Sequence, residues 1–237
     1  MNLEIINKEE YDKFAFNSPY ISIYQYPSWG ELKKTNGWDY YLLGLKDNDV
    51  IKGVTLLLRK KVLGNLYLFY APRGYLVDAK NNELLTMFHN KIIDFVKKNK
   101  GFMVKIDPNI IYNLKDKDGN LIAEVGHNEF NNYLKLGYKH YGFNLNFETL
   151  QPRFLCRYKI QDNYDDTLKT FSKSTIKNTE KSIAMGVLNR KLNPDEVNLF
   201  VDQLRLTAEN KHFVVRPTSY YKKMLEHYSL SNDNVIY

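Results

Sequence analysis

Between Tyr40 and Lys97 the chain passes through three β-rich stretches and then one long amphipathic helix, and this order constrains its fold more than any other feature. The stretches are Tyr40 to Leu45, Ile51 to Val62 and Leu66 to Tyr70. Lys46-Asp47-Asn48-Asp49 joins the first two as a hairpin turn. Glu83 to Lys97 then puts Leu84, Leu85, Phe88, Ile92, Phe95 and Val96 on one side, the 3.6-residue repeat of a core-facing helix. Phe102 to Ile106 returns as a strand, stopped by Asp107-Pro108. Such alternation of strands and helices is an α/β pattern.

Shorter elements surround this centre. Leu3 to Ile6 reads as a strand and Lys8 to Phe16 as a helix. Pro27-Ser28-Trp29 opens another helix, with Ser28 as N-cap and Glu31 at the capping-box position, ending near Asn36-Gly37. Tyr70-Ala71-Pro72-Arg73-Gly74 ends a strand in a tight turn that predicts a positive φ at Gly74. Asn113 to Asn120 is polar and loop-like, and Glu129 to Leu136 forms a helix ending at Gly137.

From Gln151 the pattern changes, which divides the chain into domains at 1–150 and 151–237. Phe154 to Ile160 reads as a strand, with Cys156 as a small buried side chain. Tyr164 to Met185 is a helix or helix pair closed by Gly186, and Val187 to Arg190 a short strand. Asn193 caps a long helix that buries Val197, Phe200, Val201, Leu204 and Ala208. Ser219 to Tyr228 is a further helix, and Asn234 to Tyr237 the first residues of a strand. A unit of this kind has not yet built a sheet to cover its helices, so the second domain is expected to be incomplete at its C-terminal end.

Within the second half, Lys169, Lys173, Lys177 and Lys181 recur every four residues. On one helix they would form a single basic face, suited to tRNA phosphates or an anionic surface; a solvated helix face accounts for them equally well. The formal net charge of +7 favours an anionic partner. The 19 Tyr and 13 Phe suit stacking surfaces, although a coding bias toward Lys, Asn, Ile, Tyr and Phe explains them too. A single Cys excludes an internal disulfide and fits a reducing cytosol. Met1 to Asn7 reads as a short strand followed by charge, so no leader is expected, and no apolar run approaches bilayer-spanning length.

Several chemistries are excluded. No Gly-x-Gly occurs among the 12 glycines, which removes the dinucleotide fingerprint, the Walker loop and the usual Gly-rich pyrophosphate loop of acetyl-CoA-dependent transferases. There is no Gly-x-Ser-x-Gly elbow, and the 5 histidines show no metal spacing. What remains is cationic and aromatic. Arg216 precedes a helix in Val215-Arg216-Pro217-Thr218, where a guanidinium can grip a phosphate through a bidentate fork or simply sit in a surface turn. Lys33 and Lys34 close the Trp29 helix, where dipole interaction alone would explain them.

Taken in order, Trp29-Gly30-Glu31-Leu32-Lys33, Tyr70-Ala71-Pro72-Arg73-Gly74 with Asp78, Lys105-Ile106-Asp107-Pro108, Gln151-Pro152-Arg153, Ser172-Lys173-Ser174-Thr175 with Lys177-Asn178, and Arg216-Pro217 with Tyr220 resemble the Fem family of aminoacyltransferases, which takes in FemA-, FemB-, FemX- and MurM-type enzymes. The resemblance runs through nearly the whole chain. It implies two acetyltransferase-like (GNAT-like) domains with mixed sheets flanked by helices. It also implies transfer of an amino acid from aminoacyl-tRNA to an amine on the stem peptide of a peptidoglycan precursor, lipid-linked or UDP-linked, with no metal or organic cofactor. The expected location is cytoplasmic, with peripheral contact at the inner face of the membrane.

By the same resemblance Lys33 and Arg216 bind the precursor's diphosphate, and Tyr220 falls on a site tyrosine. Phe102 stands where the family has another tyrosine, so that hydroxyl's hydrogen bond cannot form, which points to a different precursor. Family members continue well past this chain's end, and the lysine thought to assist transfer lies there, so no catalytic residue is named within these 237 residues. Two other functions fit the inventory: a non-catalytic precursor-binding module of the same fold, and a general RNA-binding protein.

Overall fold

The computed structural model describes residues 1–143, 152, 154–156, 158–188, 190 and 192–229. The chain separates into two compact units, Met1–Tyr141 with the segment from Lys223 on, and Gly142–Lys222.

In the first unit, β1 (Asn2–Ile5), β2 (Asp39–Asp47), β3 (Val50–Leu63), β4 (Leu66–Ala71) and β6 (Gly101–Ile106) form one sheet in the order β1-β2-β3-β4-β6, and β5 (Leu76–Val77) pairs with β3. The pairs are antiparallel except β4 with β6, which run parallel. Parallel neighbours require a crossover, and α3 (Asn82–Lys98) supplies it. The β2–β3 turn has Asn48 and Asp49 both at positive φ, 45° and 67°, as a two-residue hairpin with right-handed strand twist demands.

Side chains on β3 alternate with period two. Leu57 joins Leu43, Leu45, Phe69 and Ala71 under α3, which contributes Leu85, Phe88, Ile92 and Val96. Val54, Leu56 and Leu58 face the other way, against Tyr11 and Ala15 of α1 (Lys8–Ala15). Each fully buried Leu or Phe contributes about 1.5–3 kcal/mol, so these two faces, more than helix propensity, hold α1 and α3 in place. His89 lies buried on α3.

Several local expectations are corrected. α2 (Pro27–Lys34) starts at Pro27 with Tyr26 as N-cap, not Ser28. Glu31 is not in a capping box because its carboxylate accepts from Tyr40 Oη at 2.6 Å and Lys34 Nζ at 3.0 Å. The stretch read as a loop after Asn113 contains β7 (Asn113–Lys115), paired with β8 (Leu121–Glu124). Its turn is held by Asp116, whose Oδ1 accepts from the backbone of Asp118 at 2.9 Å and Asn120 at 2.8 Å. Such short polar strands carry no alternation to reveal them. α4 (His127–Lys135) follows and ends before Gly137, at φ 89°.

The second unit is helical among the described residues: α5 (Tyr164–Lys169), α6 (Lys173–Ala184), a 3-10 turn Pro194–Glu196, α7 (Val197–Lys211) and the start of α8 (Thr218–Ser229). The described residues of 154–160 and 187–190 form no strand. Extended backbone needs a neighbouring strand to satisfy it, and none is present among the described residues of this unit. Cys156 is accordingly exposed, not buried. α7 buries Val197, Val201 and Ala208, while Phe200 is exposed and meets Tyr221 edge-on at 5.4 Å. The expected strand at 234–237, Gln151 and Arg153 lie outside the described residues.

Candidate functional site

The chemistry of the first unit gathers where β4 and β6 end side by side, Ala71 opposite Ile106. Asp107 follows β6 directly. Its Oδ1 accepts from Tyr70 Oη at 3.0 Å and from the backbone N–H of Arg73 at 2.9 Å. Its Oδ2 is buried with no hydrogen-bond partner among the described residues. Burial pushes the Asp107 carboxyl above the ordinary carboxylate range, against the opposing pull of the Arg73 N–H and the Tyr70 hydroxyl. Tyr70 is raised in turn, first by its own burial and then by the Asp107 charge. Lys105 Nζ lies 5.5 Å from the Tyr70 ring centroid. Shielded from solvent, this carboxyl ties the Tyr70 hydroxyl to the Arg73 turn at the strand ends.

The turn that presents the Arg73 N–H is built around Gln25, which ends a 3-10 turn (Ile23–Gln25) and is fully buried. β3 pairs β5 as far as Val54 and β4 only from Leu58. In that gap Leu56, paired with Leu42 of β2 on one edge, has no strand on the other. Its N–H donates to Gln25 Oε1 at 2.8 Å and its carbonyl accepts from Gln25 Nε2 at 3.2 Å, so one side-chain amide replaces a strand. Nε2 also donates to the Pro72 carbonyl at 2.6 Å, and Tyr11 Oη donates to Oε1 at 3.1 Å. Gly74 passes so close that a Cβ there would sit 2.8 Å from Gln25 Nε2 and 2.9 Å from Thr55 Oγ1. Close approach is therefore the reason for this glycine. The left-handed residue is Arg73, at φ 53°, not Gly74 as the turn pattern predicted.

Lys33 lies on the last turn of α2 with Nζ 4.4 Å over the Trp29 ring. Trp29 meets Tyr24 edge-on at 4.7 Å, and Tyr24 adds to the upward shift of Tyr70. Phe102 is elsewhere: it is 52% exposed near the opposite end of β6, and five residue steps along the strand put it roughly 17 Å from Asp107.

In the second unit, Arg216 lies 4.7 Å over the Tyr220 ring at the start of α8. The four-lysine face is corrected. Lys169 closes α5 and pairs with Asp166 at 2.7 Å, while Lys173, Lys177 and Lys181 project from α6, which has no buried residue. Ser172 starts the new helix by accepting from the Thr175 N–H at 3.2 Å, and that break takes Lys169 out of the row.

Among the described residues no cluster of His, Cys, Asp and Glu could hold a metal ion, and no helix is long and apolar enough to cross a membrane. Sequence reasoning treated Asp107 as a strand stop and passed over Gln25. A polar residue between aromatics at Tyr24-Gln25-Tyr26 carries no periodic signal of burial.

The arrangement has known counterparts. Aminoacyltransferase FemA of Staphylococcus aureus strain MRSA252 is 29% identical over 232 residues, 96% of this chain and 55% of that protein. FemA of strain MW2 matches to the same extent. The crystal structure of FemX superposes with a TM-score of 0.83 at 26% identity, covering 98% of this chain and 56% of that one. The mixed α/β architecture expected from the sequence is thus shared with a solved relative. The chain spans about half the length of the relatives it matches. The model of the FemAB family matches residues 6–236, and the chain belongs to that family.

Proposed function

We propose that this chain serves the transfer of an amino acid from aminoacyl-tRNA to the stem-peptide amine of a peptidoglycan precursor, the step that builds an interpeptide bridge. The observation that carries this reading is the match over residues 6–236 to a family in which FemA is named an aminoacyltransferase. The amine attacks the ester carbonyl, a C–N bond forms and the C–O bond to the tRNA ribose breaks. The proton that the attacking amine loses passes to the ribose oxygen, which leaves as a hydroxyl, so the step balances. The ester is already activated, so alignment and charge stabilisation suffice without a protein nucleophile or an organic cofactor.

In this reading Lys33 on the first unit and Arg216 on the second are each phosphate-binding residues, Tyr220 orients Arg216, and Phe102 supplies an apolar contact. Lys173, Lys177 and Lys181 offer an anion-binding face to tRNA, and Lys169 contributes only when released from Asp166. The domains are read as GNAT-like over 1–150 and 151–237; the compact units part near residue 142, and the segment from Lys223 groups with the first of them. The reaction would run in the cytoplasm, at the inner face of the membrane when the acceptor is lipid-linked.

Calorimetric titration of a UDP-linked muropeptide into the chain tests this. A charge-assisted contact is worth about 1.5–3 kcal/mol, so Lys33→Ala and Arg216→Ala should each weaken binding roughly 10- to 100-fold. Equal affinity in both variants and the parent would overturn the assignment.

A further inference from the structure

The β3–β4 hairpin ends in a feature that the transfer site does not use. Leu63 pairs with Leu66 across Gly64-Asn65, with Gly64 at φ 53°. Hairpin turns of this kind are ordinarily flanked by polar residues. Here Val62, Leu63 and Leu66 are 56%, 75% and 48% exposed. They form an aliphatic tip standing clear of both hydrophobic cores, since none of them belongs to either cluster.

A cationic collar surrounds the tip. Lys60 and Lys61 are consecutive on β3 and exposed, so they leave opposite faces of the ribbon. Lys100 joins from the other side, its carbonyl accepting from the Tyr67 N–H at 3.0 Å one residue past Leu66. It follows Lys97 and Lys98 at the end of α3. Trp38 sits beneath Lys60, whose Nζ is 5.3 Å from the ring centroid. The acid that the ladder brings to this end is Asp39, opposite Arg59.

From this pattern we infer that the β3–β4 hairpin is a membrane-surface contact, its aliphatic tip entering the outer part of an anionic bilayer while the lysines meet lipid headgroups. Three properties select a bilayer over other occupants. Aliphatic side chains at the extreme tip gain from a hydrocarbon boundary and nothing from phosphodiester backbone. Lysines on both faces of the ribbon and on the next strand's approach form a ring, as a plane of anionic headgroups requires, where a nucleic acid groove would call for a stripe. Trp38 beside the ring is the residue type that collects at membrane–water boundaries. Backbone groups at the tip are paired across the hairpin, so shallow entry leaves few of them unsatisfied. Neither signal suffices alone. A short apolar tip or a small basic cluster binds weakly, and together they give reversible, anion-dependent attachment. The inference rests on the hairpin alone and stands or falls independently of the transfer reading.

The test is co-sedimentation of the chain with vesicles of equal parts phosphatidylglycerol and phosphatidylcholine, and with phosphatidylcholine alone. Binding is expected to the first, at least tenfold weaker to the second, and reduced by added salt. The triple variant Val62→Ser, Leu63→Ser, Leu66→Ser should lose at least tenfold in anionic vesicle affinity, as should Lys60→Glu with Lys61→Glu. These positions are exposed, so an unchanged melting transition is expected in both variants. Leu63→Trp should give a blue-shifted emission on binding, quenched by brominated lipid. The inference is overturned if the parent ignores anionic vesicles, or if the serine variant sediments like the parent. It is equally overturned if Lys60→Glu with Lys61→Glu abolishes binding to a homopolymeric RNA while vesicles are not bound at all. Muropeptide titration of the serine variant should match the parent, which separates a failure here from a failure of the proposed function.

Discussion

Replacing Gln25 with leucine tests whether a single amide stands in for a missing stretch of strand. Leucine has similar bulk but no polar atoms. The change strands the Leu56 N–H, the Leu56 carbonyl, the Pro72 carbonyl and the Tyr11 hydroxyl, bonded now at 2.8, 3.2, 2.6 and 3.1 Å. Each buried group left unmade costs about 1–3 kcal/mol, giving a gross loss of roughly 4–12 kcal/mol. The added apolar burial returns about 2 kcal/mol. The turn at Pro72–Gly74 lies near the surface at Arg73 and can relax to admit water, so the net loss should be about 3–5 kcal/mol, a large fraction of a typical domain's stability. Trp29 and Trp38, the chain's 2 tryptophans, both lie in the first unit, so urea unfolding followed by their fluorescence reports on it directly. Tyr11→Phe removes only one of these bonds and should cost about 1 kcal/mol. A loss below about 1 kcal/mol for Gln25→Leu, with the denaturant slope unchanged, would refute the substitution of amide for strand.

Other expectations follow from the same geometry. Gly74→Ala drives a Cβ to within 2.9 Å of Gln25 and Thr55, and should cost about 1–3 kcal/mol by overpacking; an unchanged urea midpoint would contradict the close-approach argument. Asp107 has a folded-state pKa raised by burial, so its ionised form opposes folding. That cost is absent at pH values below the ordinary 3.8, where both states are protonated, grows as pH rises from there toward the raised folded value, and is full above it. Asp107→Asn keeps an acceptor for Tyr70 and Arg73 without the charge, so its stability relative to the parent should increase across that window; parallel pH profiles would exclude a buried, raised carboxyl. In the second unit, Arg190 holds Glu196 through bonds of 2.8 and 2.7 Å, and with the Asn193 N–H lowers its pKa to about 2. The contribution is present above the ordinary carboxyl value and lost as pH falls toward about 2. Arg190→Ala should move the Glu196 midpoint upward in an NMR titration, and an unmoved midpoint would assign the shift to Asn193 alone.

Much of the sheet could be read from sequence because its central strands are apolar runs long enough to be buried on both faces. Leu42, Leu43 and Leu45, then Val54 through Leu58, declare two buried faces, and the repeat from Leu85 to Val96 declares the helix that covers one of them. The 154–160 segment alternates, yet pattern alone could not reveal that no strand among the described residues lies beside it. The site divides similarly. Lys33 and Arg216 are visible as charges near helix ends. Asp107 acquires its character only from tertiary burial of one oxygen, and Gln25 from a gap between two ladders that no local pattern encodes. The lysine row failed as a single face because spacing counts residues but does not register the Ser172 cap that restarts the helix.

The parallel pairing of β4 with β6 also dictates where this fold can change length over evolutionary time. Tyr70 and Asp107 meet because Ala71 is in register with Ile106. One residue inserted within Gly101–Ile106 would turn every following side chain to the opposite face and carry the carboxylate away from its partners. Extra residues in the connection near Lys80, ahead of α3, leave that register untouched, at about 0.6 kcal/mol for each doubling of loop length. Insertions and deletions should therefore accumulate before the helix and be purged from the strand that follows it.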